Sequence, residues 1–216
     1  MSWILLGGPV LWVLVVLSVP VFALVAERST RSVRERRRLM VFLKEAEPLA
    51  SRGEVEALRA LARRSGGVGG TLMEAVWRGG DAEGARALAA AAGAPWVEAQ
   101  GRGLAFLGLA ASVGPLLGLL GTVMGLITMF REIQDAPPGV DLLPLAAGGL
   151  WEAMLTTVAG LVVAIPAASA HQLLGAVRDQ MVSRAEAWVE RLVALKEVSR
   201  APKTLAAPRG EPARRP

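Results

Sequence analysis

The sequence predicts an all-α membrane protein of three transmembrane helices, with long helices extending into a helical cytoplasmic domain. Three observations predict it. Of the 216 residues, 53% are hydrophobic, an excess over ordinary soluble domains. Residues 1–26, 103–130 and 153–177 contain no Asp, Glu, Lys or Arg. The basic residues gather in two of the three segments that separate or follow those runs.

A helix rising about 1.5 Å per residue needs about 20 apolar residues to cross a ~30 Å hydrocarbon core, so each run is long enough. Lipid offers no partner to backbone N–H and C=O groups, so the runs must be helices. Residues 27–102 carry 14 Lys/Arg and residues 178–216 carry nine, whereas 131–149 holds only Arg131. Basic loops stay on the cytoplasmic side. The expected order is therefore a first transmembrane helix at 1–26 and a cytoplasmic helical domain at 27–102. A second span at 103–130 leads to a periplasmic loop at 131–141. The third span, 142–177, has a cytoplasmic extension at 178–200 and a disordered tail at 201–216. The N-terminus is placed in the periplasm and the C-terminus in the cytoplasm. A cleaved signal peptide is the competing reading of the first run. The absence of a basic n-region and the arginines that follow (Arg28, Arg31, Arg34, Arg36, Arg37, Arg38) argue for a retained helix.

In the cytoplasmic part, Leu39, Phe42, Leu43 and Ala46 continue the first helix at helical spacing. Val55, Leu58, Leu61 and Ala62 mark a second helix. The glycines from Gly66 to Gly70 read as a flexible breaker; no Lys-Ser/Thr follows them, so they are no phosphate cradle. Asp81 is expected to cap another short helix. Val177, Met181, Ala185, Trp188, Leu192 and Leu195 keep an amphipathic period, so the third membrane helix should run on as one rod.

Composition narrows the chemistry. There is no cysteine or tyrosine, and His171 is the one histidine. Catalysis built on Cys, Tyr or paired His is excluded, as is a thiolate metal site. No cluster of nucleophile and base suggests an enzyme, and neither cofactor nor metal is expected. The net charge of +5 lies beside membrane runs, which points to the lipid bilayer and not to nucleic acid.

Candidate site residues lie in the second and third spans. Gly114, Gly118, Gly121 and Gly125 recur every three or four residues, a smooth stripe along which helices pack closely, within one subunit or between subunits. Thr122 borders the stripe; a membrane threonine can also simply bond its own helix. Pro144 suits a first helical turn, so a helix starting near Leu142 carries Glu152 about 15 Å inward, near mid-bilayer. An ionisable group there should face a bundle interior or a wet cavity. Thr156 follows one turn later on the same face, with Thr157 beside it. An acid and hydroxyls in an apolar interior form a candidate proton pathway. The alternative is an interfacial Glu152 on a shorter helix starting near Gly149. His171, about 28 Å further on, reads as an interfacial anchor.

Residues 7–28 (GGPVLWVLVVLSVPVFALVAER), 114–130 (GPLLGLLGTVMGLITMF) and 148–167 (GGLWEAMLTTVAGLVVAIPA) resemble the three spans of the ExbB/TolQ/MotA proton-channel family. In ExbB and TolQ the core polar residues are a Thr in the second span and a Glu and Thr in the third, which match Thr122, Glu152 and Thr157. The acid and the count of three spans favour the ExbB/TolQ branch. His171-Gln172 stands where that family usually shows Tyr-Asn. The resemblance implies a homopentamer around two copies of a single-span ExbD/TolR-like subunit with a membrane Asp, acting with a TonB-like protein. It implies a proton-driven motor, in which proton flow past the Glu/Thr ring drives relative rotation. The output would be outer-membrane import, with TolQ-like envelope maintenance or gliding as alternatives. From another class, a passive scaffold recruiting cytoplasmic proteins predicts a dispensable Glu152.

Overall fold

The computed structural model describes residues 8–200, and every element in it is a helix: α1 (Gly8–Ser51), α2 (Val55–Ser65), α3 (Gly67–Arg78), α4 (Ala82–Gly101), α5 (Leu104–Gln134) and α6 (Leu142–Arg200). The first seven residues of the expected first span, and the 201–216 tail, lie outside the described residues. Three helical stretches are long and apolar enough to cross a membrane: Gly8–Ser51, Ala82–Gln134 and Leu142–Arg200. No residue breaks α6 across its 59 positions.

The described chain divides into two compact units, 8–37 with 97–181 and 38–96 with 182–200. In the first, a core forms among α1, α5 and α6 from Val21, Leu107, Ala110, Val163, Ala167, Ala170 and Leu174. The outward faces stay apolar: Val16, Leu116, Phe130 and Leu173 are each more than 60% exposed. A soluble protein does not leave such surface in water; here lipid or neighbouring helices cover it.

In the second unit, Leu39, Phe42, Leu43 and Ala46 of α1 are all buried, as their spacing predicts. The Phe42 ring meets Trp188 of α6 edge to face, with centroids 5.8 Å apart, a geometry aromatic pairs prefer. Trp188 donates through Nε1 to the Gly69 carbonyl.

The expected breaker is present but shorter than the glycine run. Only Gly66 separates α2 from α3, and Gly67–Gly70 are helical. Tertiary packing overrides the poor propensity of glycine. A Cβ on Gly69 would collide with the Phe42 ring, and one on Gly70 would lie 2.7 Å from the Ala62 carbonyl oxygen. Glycine is used here for close approach. The helix after Asp81 is likewise not short. Asp81 accepts from the Gly84 N–H at 2.9 Å, a bond that holds its carboxyl below the ordinary carboxylate value. From there α4 runs through Pro95 to Gly101.

The end of α6 is fastened to α3 and α4. Arg86 makes two hydrogen bonds to the Glu190 carboxylate, at 2.8 and 2.9 Å, which lowers the pKa of that carboxyl. Both partners are exposed, so the pair adds little stability. Lys196 is different: it is 5% exposed and donates to the carbonyls of Val76, at 2.6 Å, and of Gly79. Carbonyls at a helix end need donors from outside it. Burial pulls the Lys196 ammonium below the usual lysine value; Arg200 adds to this and Asp81 opposes it. Lys196→Met keeps the stem and leaves those carbonyls without their donor. It should destabilise this unit by about 1–3 kcal/mol, seen as faster limited proteolysis around 79–81. Unchanged protection would show that water replaces the ammonium.

Candidate functional site

The apolar residues of α5 and α6 alone would make two smooth rods; the small residues determine how closely they meet. A Cβ on Gly160 would lie 2.6 Å from the Gly114 carbonyl oxygen, and one on Gly114 would lie 3.2 Å from the Ala164 Cβ. Further along, Gly118 faces the backbone of Thr156 and Thr157, Gly121 faces the Thr156 side chain, and Gly125 faces Ala153. The two helices are therefore antiparallel and nearly in backbone contact. Gly114, Gly118, Gly121 and Gly125 are all buried. In lipid, such packing replaces the hydrophobic drive that water would supply.

Two hydroxyls lie in this seam. Thr156, 1% exposed, donates to the Ala153 carbonyl at 2.8 Å and also reaches the Gly118 carbonyl at 3.4 Å. Thr157 approaches the same Gly118 oxygen at 3.5 Å. A mid-helix glycine carbonyl, uncovered by any side chain of its own, thus meets both α6 threonines. Thr122 lies outside this cluster: its hydroxyl donates to Leu119 of its own helix at 2.6 Å.

Glu152 lies ten residues into α6, about 15 Å along the axis by its rise. It is half-buried, and its neighbour Ala153 is level with Gly125. Thr156 and the level of Thr122 are one turn away, about 6 Å inward. The Glu152 carboxylate lies against Gly8, the first residue of α1, where an added Cβ would strike Oε1. The site thus draws on all three long helices: the carboxyl from α6 meets the start of α1, and the threonines below it meet α5.

His171 is exposed, with Nδ1 2.8 Å from the Leu104 carbonyl oxygen, to which it donates. Its ring covers Gly108. At 19 residues from Glu152, it is a link between α5 and α6 and not part of the acid–threonine group. Reasoning from the sequence overlooked Ala153, Gly160 and Ala164, the small residues on α6 that answer the α5 stripe. Their spacing of three to seven residues around Thr156 carries the same signal. It also overlooked Gly8, which no local pattern marks.

Comparison with known proteins gives the family. A sequence model of the MotA/TolQ/ExbB proton channel family matches residues 65–187. The chain is 45% identical over 84 residues to the biopolymer transport protein exbB1 of Vibrio cholerae, covering 39% of this chain and 36% of that one. It is 41% identical over 69 residues to the Tol-Pal system protein TolQ of Haemophilus influenzae, covering 32% and 29%. It is 40% identical over 67 residues to the biopolymer transport protein ExbB of Salmonella typhimurium, covering 31% and 27%. The chain thus spans about a third of the length of the curated relatives it matches.

Proposed function

This chain belongs to the MotA/TolQ/ExbB proton channel family, and we propose that it is the channel, or stator, subunit of an inner-membrane motor driven by the proton motive force. Glu152 carries the proposal. A carboxyl ten residues into an apolar helix costs about 2.5–3.5 kcal/mol at the bilayer centre if left to lipid. Enclosure against α1, with threonine hydroxyls one turn below, gives it a polar setting. In this reading Glu152 takes up and releases the proton, and Thr122, Thr156 and Thr157 line its path. Two of the relatives are named as biopolymer transport proteins, which supports an output of the ExbB kind, and the output proposed is TonB-dependent import.

The working unit proposed is a homopentamer enclosing a single-span ExbD/TolR-like subunit whose membrane Asp meets Glu152. The apolar faces left uncovered on α5 and α6 support association with further helices. The basic segments 27–102 and 178–216 support a cytoplasmic placement for both, with 131–141 in the periplasm. The test is purification from the native membrane, with identification of any single-span protein that is recovered with this chain. Five copies of this chain with that partner is the expected mass. A chain recovered only as a monomer, without a partner, would overturn the assembly.

A further inference from the structure

A second feature of α1 does not enter that function. Between the apolar run ending at Ala26 and Arg37, the helix carries Arg28, Arg31, Arg34, Arg36 and Arg37 against Glu27 and Glu35. Arg31, Arg34, Arg36 and Arg37 are exposed, and none of the four is ion-paired to another described residue. At about 100° per residue Arg37, Arg34 and Arg31 fan over about 120° of the helix and Arg36 lies about 100° beyond Arg37, so the four cover the sides turned away from Arg28. A membrane surface meets every outward side of a crossing helix, and an arginine girdle over those sides matches it.

Depth supports the same occupant. Arg31 lies five residues beyond Ala26, about 7.5 Å along the axis, and Arg37 lies about 16 Å along. The headgroup layer extends about 5–7 Å beyond the hydrocarbon. Arg31 therefore reaches phosphates directly, and the others lie within about one Debye length, ~10 Å, of that layer. Arg28, nearer the membrane, is already engaged: its guanidinium donates to the Ala99 carbonyl at 3.1 Å.

We propose that the α1 girdle of Arg31, Arg34, Arg36 and Arg37 is a docking surface for anionic phospholipid headgroups, selecting the lipids around this helix. The proposal rests on α1 crossing a membrane but not on proton transfer at Glu152. Basic residues next to a membrane span attract anionic lipid with about 1 kcal/mol each, a factor of about five per contact.

The full chain, purified with its partner, is equilibrated with equal amounts of phosphatidylglycerol and phosphatidylcholine, and the retained lipid is counted by native mass spectrometry. Retention should favour phosphatidylglycerol at least fivefold at low salt and lose that preference at 0.5 M salt. Replacing all four arginines by Gln should abolish the preference, and replacing them by Lys should restore it. Arg63→Gln with Arg64→Gln, on exposed α2 positions, should leave it unchanged. Equal retention of the two lipids, a preference that survives high salt, or a folded Gln variant with unchanged preference would each overturn the proposal. Displacement by soluble glycerol phosphate at the lipid's own concentration would reveal a phosphate pocket in place of a membrane surface, and would overturn it too. If the Gln variant does not fold, the salt titration of the unaltered chain decides. Glu152→Gln should keep the lipid preference, so failure of the motor reading and failure of this one are distinguishable.

Discussion

Glu152→Gln is expected to leave the chain expressed and assembled, and to reduce energy-dependent output to the level of cells lacking the chain. Glutamine keeps the shape and the capacity to hydrogen bond, and it removes the ionisable group that the proposed mid-membrane placement makes costly. Nothing at Gly8 needs the charge, since the contact there is with a backbone that has no side chain. Assembly should therefore survive. The amide cannot carry a proton, so any step that loads and unloads the site stops. The threonines should rank below the acid. Thr122 already spends its hydroxyl on Leu119, so Thr122→Ala should be mild. Thr157→Ala should be intermediate, because that hydroxyl reaches only one distant carbonyl. Thr156→Val keeps the volume and removes the better-bonded of the two α6 hydroxyls, at a cost of about 1 kcal/mol. His171→Gln should be mild as well, since it lies far from the carboxyl. Recovery of the complex and output must be measured in the same cells, because a glutamine variant that fails to assemble is uninformative about protons. A Glu152→Gln complex that assembles and remains fully active would sink the channel mechanism and favour a passive scaffold.

Much of this fold was legible because its signals are local. Three uncharged runs require helices, Pro144 marks the first turn of α6, and the spacing of Leu39, Phe42, Leu43 and Ala46 identifies a buried face. The glycine stripe and the position of Glu152 along α6 follow from counting along one helix. What stayed hidden depends on residues distant in sequence. Gly66–Gly70 read as a breaker because glycine is a poor helix former; the approach of Phe42 to Gly69 and of the Ala62 carbonyl to Gly70 explains why glycine stands inside the helix there. No local pattern marks Lys196, and its role comes from carbonyls 117 and 120 residues away. The setting of Glu152 against Gly8 is of the same kind, since α1 must first be placed beside α6. The small residues of α6 are the exception: Gly160 and Ala164 were readable and were masked by the bulky apolar residues between them.

Gly121→Leu should disrupt the fold of the chain itself. A Cβ at Gly121 would stand 2.5 Å from the Thr156 Cβ and 2.6 Å from its Oγ1, closer than carbon atoms approach. Relief cannot come from Thr156 alone, because its β-branched side chain has few rotamers and its hydroxyl is bonded to Ala153. The helices must move apart, and with Gly160 already against the Gly114 carbonyl, separation costs contacts along the whole seam. Overpacking of a rigid core costs about 1–3 kcal/mol, and more where backbone must shift; leucine here adds three carbons beyond the first clash. Gly160→Ala should act in the same direction through one Cβ. Gly148→Ala is the control, a helical position on α6 with open space around it, where loss of glycine's flexibility should be neutral or slightly stabilising. The measurement is folded yield and melting temperature in detergent, alongside oligomer mass. Gly121→Leu should lower yield and melting temperature, with the oligomer lost as a consequence. A variant that remains a well-folded monomer and loses only its oligomer would place the seam between subunits, and the packing of α5 on α6 within one chain would then be wrong.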